Sequence, residues 1–328
     1  MSTHSLNLRG VLSETKRIIN AHSRHFLALS VLFLLPLSFS LIVYPALSQS
    51  PSILSDYHRS VFFFSRPEPE ISLTEKSHLL LPIIYGLFVL IFSLCATASI
   101  TYSTFHGFYG RPVKFTSSIK SIFFSFLPLI ATLIAIQIIA GLIVFAFGGF
   151  TALVYFGISL FGVDLDYDNV YFLGFVFLIV ALIVGLLLYF KVEWYLANVI
   201  VVVESQWGFS PLKRSSYLVK GMRGVAFAMI MLFGILLGFL CTLCSSLVPN
   251  SDVISGGWVS WAFIFQTVVY TGFMTILMLY CVAANAVLFM YCKALHGELA
   301  FEIAEEFAHE YISLPFDDGK VPHVVYVV

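Results

Sequence analysis

The segment Val201–Gly221, VVVESQWGFSPLKRSSYLVKG, sets a carboxylate (Glu204) and a group of cations (Lys213, Arg214 and Lys220, with Arg223 just beyond) into otherwise apolar sequence. Cations grouped in this way suit anionic lipid headgroups, each worth about 1 kcal/mol beside a charged leaflet. Glu193 and Glu204 are placed to pair with Lys213 and Arg214. As catalytic acids they have no nucleophile, metal-ligand cluster or glycine-rich phosphate loop close by in sequence. Asp164, Asp166 and Asp168 begin as a calcium loop begins, but Asn169 and Phe175 stand where that loop needs Gly and Glu. Cys241 and Cys244 have redox spacing yet sit inside an apolar run. With Cys95, Cys281 and Cys292 they read as packing residues. Glu306 and His309 match the Glu-x-x-His of di-iron bundles, which need a second copy and two further carboxylate helices; here they read as a solvated helix face. The expectation is therefore no catalytic, metal or cofactor site, and no enzyme.

The elements that hold these residues follow from composition. Apolar residues make up 59% of the 328 and charged residues 11%, with a net charge of −1, far from the roughly 25% charged of soluble domains. Near-zero net charge also removes any bulk field that would recruit nucleic acid or anionic lipid. Six charge-free runs, Phe26–Leu47, Leu79–Ile100, Ile122–Phe147, Tyr171–Phe190, Val225–Val248 and about Val259–Met290, are long enough to cross a hydrocarbon core of about 30 Å as helix. The fold class is all-α: a polytopic membrane protein of six transmembrane helices arranged as three hairpins. The division expected is an N-terminal segment with an amphipathic helix (1–25), the six-helix domain (26–292), and a C-terminal amphipathic helix and tail (293–328). The first run exceeds the apolar stretch of a signal peptide, so it is read as an uncleaved span.

Phe209-Ser210-Pro211 predicts a helix start, with Ser210 as N-cap and Pro211 in the first turn, and Gly221 is placed as the C′ residue ending it. Leu212, Ser215, Ser216, Leu218 and Val219 favour one side and the cations another, which suits a short helix lying in the headgroup layer. Trp194, Tyr195 and Trp207 suit interfacial anchoring. Leu12-Ser13 before the first span and Phe115-Thr116 before the third repeat the device. Glu204, Gly208, Lys213, Arg214, Ser215, Leu218 and Gly221 together resemble a pattern in the membrane domain of some bacterial glycerophosphoryl diester phosphodiesterases. Across nearly the whole chain, including LPFDDGKVPHVV (Leu314–Val325), the sequence resembles a plant family of uncharacterised six-span membrane proteins. The resemblance implies a fold and no activity, because the 36 residues after Cys292 are too few for a phosphodiesterase domain.

Inside the six runs there is no Asp, Glu, Lys, Arg or His, the groups an ion-coupled transporter usually needs. Gln137, Gln266 and Asn285 are available for interhelical hydrogen bonds. Gly234 and Gly238 predict a close helix contact on the fifth span, and Gly141 and Gly148 one near the end of the third; Pro36 interrupts the first span and Pro128 sits early in the third, where a single proline in a membrane helix is commonly tolerated. The functional expectation is a scaffold or helper of an endomembrane or plasma membrane. Its partners would be membrane lipids, and proteins meeting the acidic C-terminal helix or the terminal Val-Tyr-Val-Val. The alternative is a channel or carrier for a neutral or amphipathic solute or lipid. All but three of the 17 basic residues (Arg59, Arg66 and Lys76) fall on one side of this topology, so the positive-inside bias puts both termini in the cytosol. Epitope tags at either end should be cut by protease only after the membrane is permeabilised. Cleavage of either tag in intact cells would overturn the six-span orientation.

Overall fold

The computed structural model describes residues 7–48, 71–111, 113–160, 170–246, 261–301 and 304. Asp164–Asp168, Glu306–His309 and the C-terminal valines lie outside these residues. The tail helix expected over Ala294–Ser313 is described only through Phe301 and at Ala304.

Backbone in hydrocarbon must satisfy its own N–H and C=O groups, so apolar runs of this length become helices. The elements are α1 (Leu8–Ala21), α2 (Ser23–Leu29), a π turn (Ser30–Leu34) leading into α3 (Leu35–Ser48), α4 (Ile71–Phe108), α5 (Phe115–Leu160), α6 (Val170–Glu193), α7 (Ala197–Glu204), α8 (Ser210–Leu218), α9 (Arg223–Ser246) and α10 (Trp261–Leu295). Six stretches are long and apolar enough to cross a membrane: Ser23–Tyr44, Leu80–Phe108, Phe115–Gly157, Phe172–Glu204, Arg223–Cys244 and Ile264–Leu295. The described chain is an all-α, six-span protein in which consecutive spans pack against one another. At 46 residues, α5 is about 69 Å long, so its ends project well beyond the hydrocarbon.

The spans do not share the interior equally. The apolar window of the last is 56% buried and that of the fourth only 6%. Ala283, Ala284, Ala286, Val287, Leu288, Phe289, Met290 and Cys292 of α10 are all sealed inside, where small alanines let neighbouring backbones approach closely. Helix α10 is therefore the post on which α1, α3, α4 and α9 lean. The break at Pro36 is handled by widening: the π turn lies just before it and opens the helix where the proline ring would meet a carbonyl.

Several expectations need correction. The segment after Phe115 is no separate interfacial helix, because α5 runs through it without a break. Ser13 lies inside α1, which begins at Leu8. That helix buries Val11, Thr15, Ile18 and Ile19 against the bundle, with the Thr15 hydroxyl donating to Val11 O at 2.7 Å. Ser210 does not cap α8. The backbone already turns helical at Phe209 (φ −84°, ψ −20°), so Phe209 takes the cap position, and the Ser210 hydroxyl donates to Gln206 Oε1 at 2.8 Å. Pro211 does sit in the first turn. Gly221 adopts φ +94°, but α8 is capped by Val219, so the glycine comes one position later than C′. The positive φ is what favours glycine there; a Cβ would also stand 2.9 Å from Leu295 Cδ2 of α10, a side-chain end that would have to move aside. The expected close contacts at Gly234, Gly238, Gly141 and Gly148 are not made, since a Cβ at any of them would meet nothing within 4 Å.

The fourth span breaks between α6 and α7. Tyr195 N turns back to Val192 O at 3.3 Å, so the helical ladder skips a step and leaves Glu193 O, Tyr195 O and Leu196 N without their usual partners. Two side chains from other helices take them. Ser215 Oγ of α8, fully buried, donates to Glu193 O at 2.7 Å and accepts from Leu196 N at 3.2 Å. Asn285 Nδ2 of α10 donates to Tyr195 O at 3.1 Å. Ser215→Ala should leave two buried backbone groups unpaired, at about 1–3 kcal/mol each, whereas the half-buried Ser216→Ala should change stability by no more than about 0.5 kcal/mol. Thermal unfolding of the two variants in the same detergent compares them. Equal shifts would mean that the break does not depend on this hydroxyl.

Candidate functional site

The break places charged residues from five elements on one side of the bundle. Glu193 ends α6, Glu204 ends α7, Arg214 lies on α8, Arg223 opens α9, and Lys293 stands in the last turn of α10, with Glu298 just after it. Ser205 (φ 53°) and Gly208 (φ 72°) reverse the chain after α7 so that α8 folds back along it.

Arg214 is the centre of the network. Its Nε meets Glu204 Oε2 at 3.3 Å, its Nη1 meets Glu298 Oε1 at 3.0 Å, and its Nη2 meets both Glu298 Oε2 and Glu204 Oε1. This is the fork geometry for which guanidinium is suited. Lys293, only 5% exposed, brings its Nζ to 3.5 Å from Glu204 Oε1 and lies over the Phe289 ring. Gln206 Nε2 adds a further bond to Glu204 Oε2 at 3.2 Å. Burial would lower the Arg214 pKa, but the hydrogen bonds and negative charges of Glu298 and Glu204 overcome that and hold it above its ordinary value. Glu193, equally buried, pairs with Arg223 at 2.6 Å.

The sequence-predicted residues thus separate into two groups. Glu204 and Arg214 do pair, but the cation on Glu193 is Arg223 and not Lys213. Two of the four cations expected at lipid headgroups, Arg214 and Arg223, are committed to carboxylates. Lys213 and Lys220 are exposed and pair with no carboxylate among the described residues. Of the expected anchors, Trp207 is 70% exposed beside the likewise exposed Phe209. Trp194 is half-buried and stacked on Phe190, and Tyr195 packs against the core. Lys293, Glu298 and Asn285 join the site although their sequence positions signalled only topology, tail polarity or general helix contact, and Ser215 joins it from within the linker pattern, which marked the position and not its partners.

A second polar cluster ties the first three spans together. His25 Nε2 lies 2.9 Å from Ser103 Oγ and 3.3 Å from Ser118 Oγ, which are 3.0 Å apart. A serine beside a histidine is the geometry of nucleophile and base. Here the Ser103 hydroxyl already donates to Ser99 O at 2.7 Å, so its proton is held by the backbone, while Ser118 Oγ bonds within the cluster and joins the third span to it. Among the described residues no group of three or more His, Cys, Asp and Glu is arranged to hold a metal ion.

These features define a six-span helical membrane protein with an ion-paired network binding its short helices to one face of the bundle. The chain belongs to the family described as "Domain of unknown function (DUF8558)", which matches residues 2–314. No curated protein and no solved structure matches it.

Removing the guanidinium tests the network. Arg214→Gln should cost about 1–3 kcal/mol, below the figure for fully buried pairs because the site is partly wet. Lys at this position should recover only part, lacking the fork. Because the Arg214 pKa is raised, its contribution is complete below the free guanidinium value and is lost only as pH climbs through the higher one, so substitution and salt are the practical levers. Limited proteolysis should cut near Gly297 faster in Arg214→Gln than in wild type. Unchanged cleavage there would show that Arg214 does not fasten the segment carrying Glu298.

Proposed function

We propose that this protein is a non-enzymatic scaffold or helper of an endomembrane or plasma membrane, organising lipids or partner proteins at its basic, cytosolic face. The observation that carries this reading is the division of labour among the cations. Arg214, Arg223 and Lys293 are used internally to fix α8 and its neighbours, which leaves Lys213 and Lys220 displayed on a rigid support beside the exposed Trp207 and Phe209. Apolar rings next to lysines on a short helix suit a layer of anionic headgroups. The pattern through Glu204, Gly208, Lys213, Arg214, Ser215, Leu218 and Gly221 resembles the membrane domain of bacterial glycerophosphoryl diester phosphodiesterases, and the whole chain resembles plant six-span proteins. Both likenesses support a membrane role without adding chemistry.

A second reading, a carrier for a neutral or amphipathic solute or lipid, is favoured by one feature, the broken fourth span, since discontinuous helices line many transport sites. Against it, the backbone groups freed at that break are already taken up by Ser215 and Asn285 from neighbouring helices.

Lys213→Gln with Lys220→Gln should leave the fold intact and weaken retention of co-purified anionic phospholipid by about 2 kcal/mol at low salt. High salt should narrow the difference. Equal anionic lipid in the double variant and wild type at low salt would refute the headgroup role.

A further inference from the structure

A crevice of about 380 Å³ runs between α9 and α10. Leu236 and Phe239 form one wall, Phe273, Ile276 and Tyr280 the other, and Leu12 of α1 also lines it. Leu236, Phe239, Phe273 and Ile276 are 41–60% exposed, so it opens sideways, within two spans. In a bilayer such an opening faces hydrocarbon. The lining offers no polar group to water or to a polar solute, and filling it removes apolar surface without leaving an unpaired donor.

What stands beside the crevice selects the rest of the ligand. Leu12 has Arg9 three residues before it and Lys16 four residues after it, so the three share one face of α1. Arg9 and Lys16 are exposed and meet no carboxylate among the described residues. Two unneutralised cations on the helix face that presents Leu12 to an apolar slot complement a phosphate-bearing headgroup joined to an acyl chain. We propose that the α9–α10 crevice binds one acyl chain of an anionic phospholipid from the leaflet on the α1 side, with Arg9 and Lys16 at its headgroup. This site is separate from Lys213 and Lys220, and it differs from the apolar surface at Leu153 and Phe177, which are 72% and 75% exposed, in being walled by two helices.

The wild-type protein in nanodiscs of phosphatidylcholine with a minor share of phosphatidylserine provides the test, using phosphatidylserine with a photoreactive diazirine on its acyl chain. Adducts should concentrate on 232–240 and 273–280, and should be sparse around Leu153 and Phe177. Diazirine phosphatidylcholine at the same dose should label the crevice less. Leu236→Trp combined with Ile276→Trp should abolish crevice adducts, whereas Leu153→Trp should not. Arg9→Gln with Lys16→Gln should reduce the phosphatidylserine preference about thirtyfold at low salt, in line with two headgroup cations. Lys213→Gln with Lys220→Gln should leave it unchanged, which separates this site from the other basic surface. Adducts spread evenly over lipid-facing residues in the wild-type protein would overturn the proposal. So would a crevice labelled equally by both lipids.

Discussion

Backbone polar groups inside a low-dielectric bundle must be paired, and the interruption at Trp194–Leu196 leaves three of them without helical partners. The arrangement around the fourth span follows from meeting that requirement. Ser215 can reach Glu193 O and Leu196 N only if α8 lies against the break. Helix α8 lies there only because Ser205 and Gly208 reverse the chain and Gly221 turns it again toward α9. Asn285 reaches Tyr195 O from α10, so the break is fastened to the most buried helix of the molecule. A short polar helix inserted between two apolar spans is thus the means by which a discontinuous span is stabilised.

The ion pairs are a consequence of the same geometry. Once α7 turns inward, its terminal Glu204 is carried next to Lys293, and two charges at so little exposure persist only as partners. One lysine does not satisfy a carboxylate that also faces α8, and Arg214 supplies the remaining donors while joining Glu298 to the cluster. Glu193 repeats the logic one helix away with Arg223. Replacing all these charges by apolar groups of matching shape need not destabilise the protein, since desolvation offsets much of the attraction. What the pairs supply is direction: they specify which helix ends meet.

The six spans were legible because length and absence of charge suffice to identify them. The turn residues Pro211 and Gly221 were nearly so, each marking a boundary to within a residue. Ser210 misled because a serine before Pro looks the same whether its hydroxyl points to a first-turn N–H or, as here, back to Gln206. The glycines of the fifth span misled for a related reason: spacing shows that a close approach is permitted but not that a partner is present. The pairing of Glu193 with Arg223, and the part played by Ser215, were not legible because they join positions on different helices. The α6–α7 break has no proline at 194–196 to announce it; the interruption is defined by the partners that receive its freed groups.

Those partners also bear on which functional reading the molecule favours. A carrier that used the broken span as a hinge would have to separate Glu193 O, Leu196 N and Tyr195 O from Ser215 and Asn285 during each cycle, in surroundings where water cannot replace the lost bonds. Two buried bonds at about 1–3 kcal/mol apiece and the part-buried one from Asn285, together with the fork on Arg214, set a high cost for that movement. The neighbouring helix ends are locked by the same contacts: Glu193 by Arg223, Glu204 by Lys293 and Arg214. A hinge would be expected to carry few such constraints. A fixed platform gains from all of them, because Lys213, Lys220, Trp207 and Phe209 then meet a membrane surface without first being ordered. Under the scaffold proposal, the break is the anchor of that platform and not a moving part.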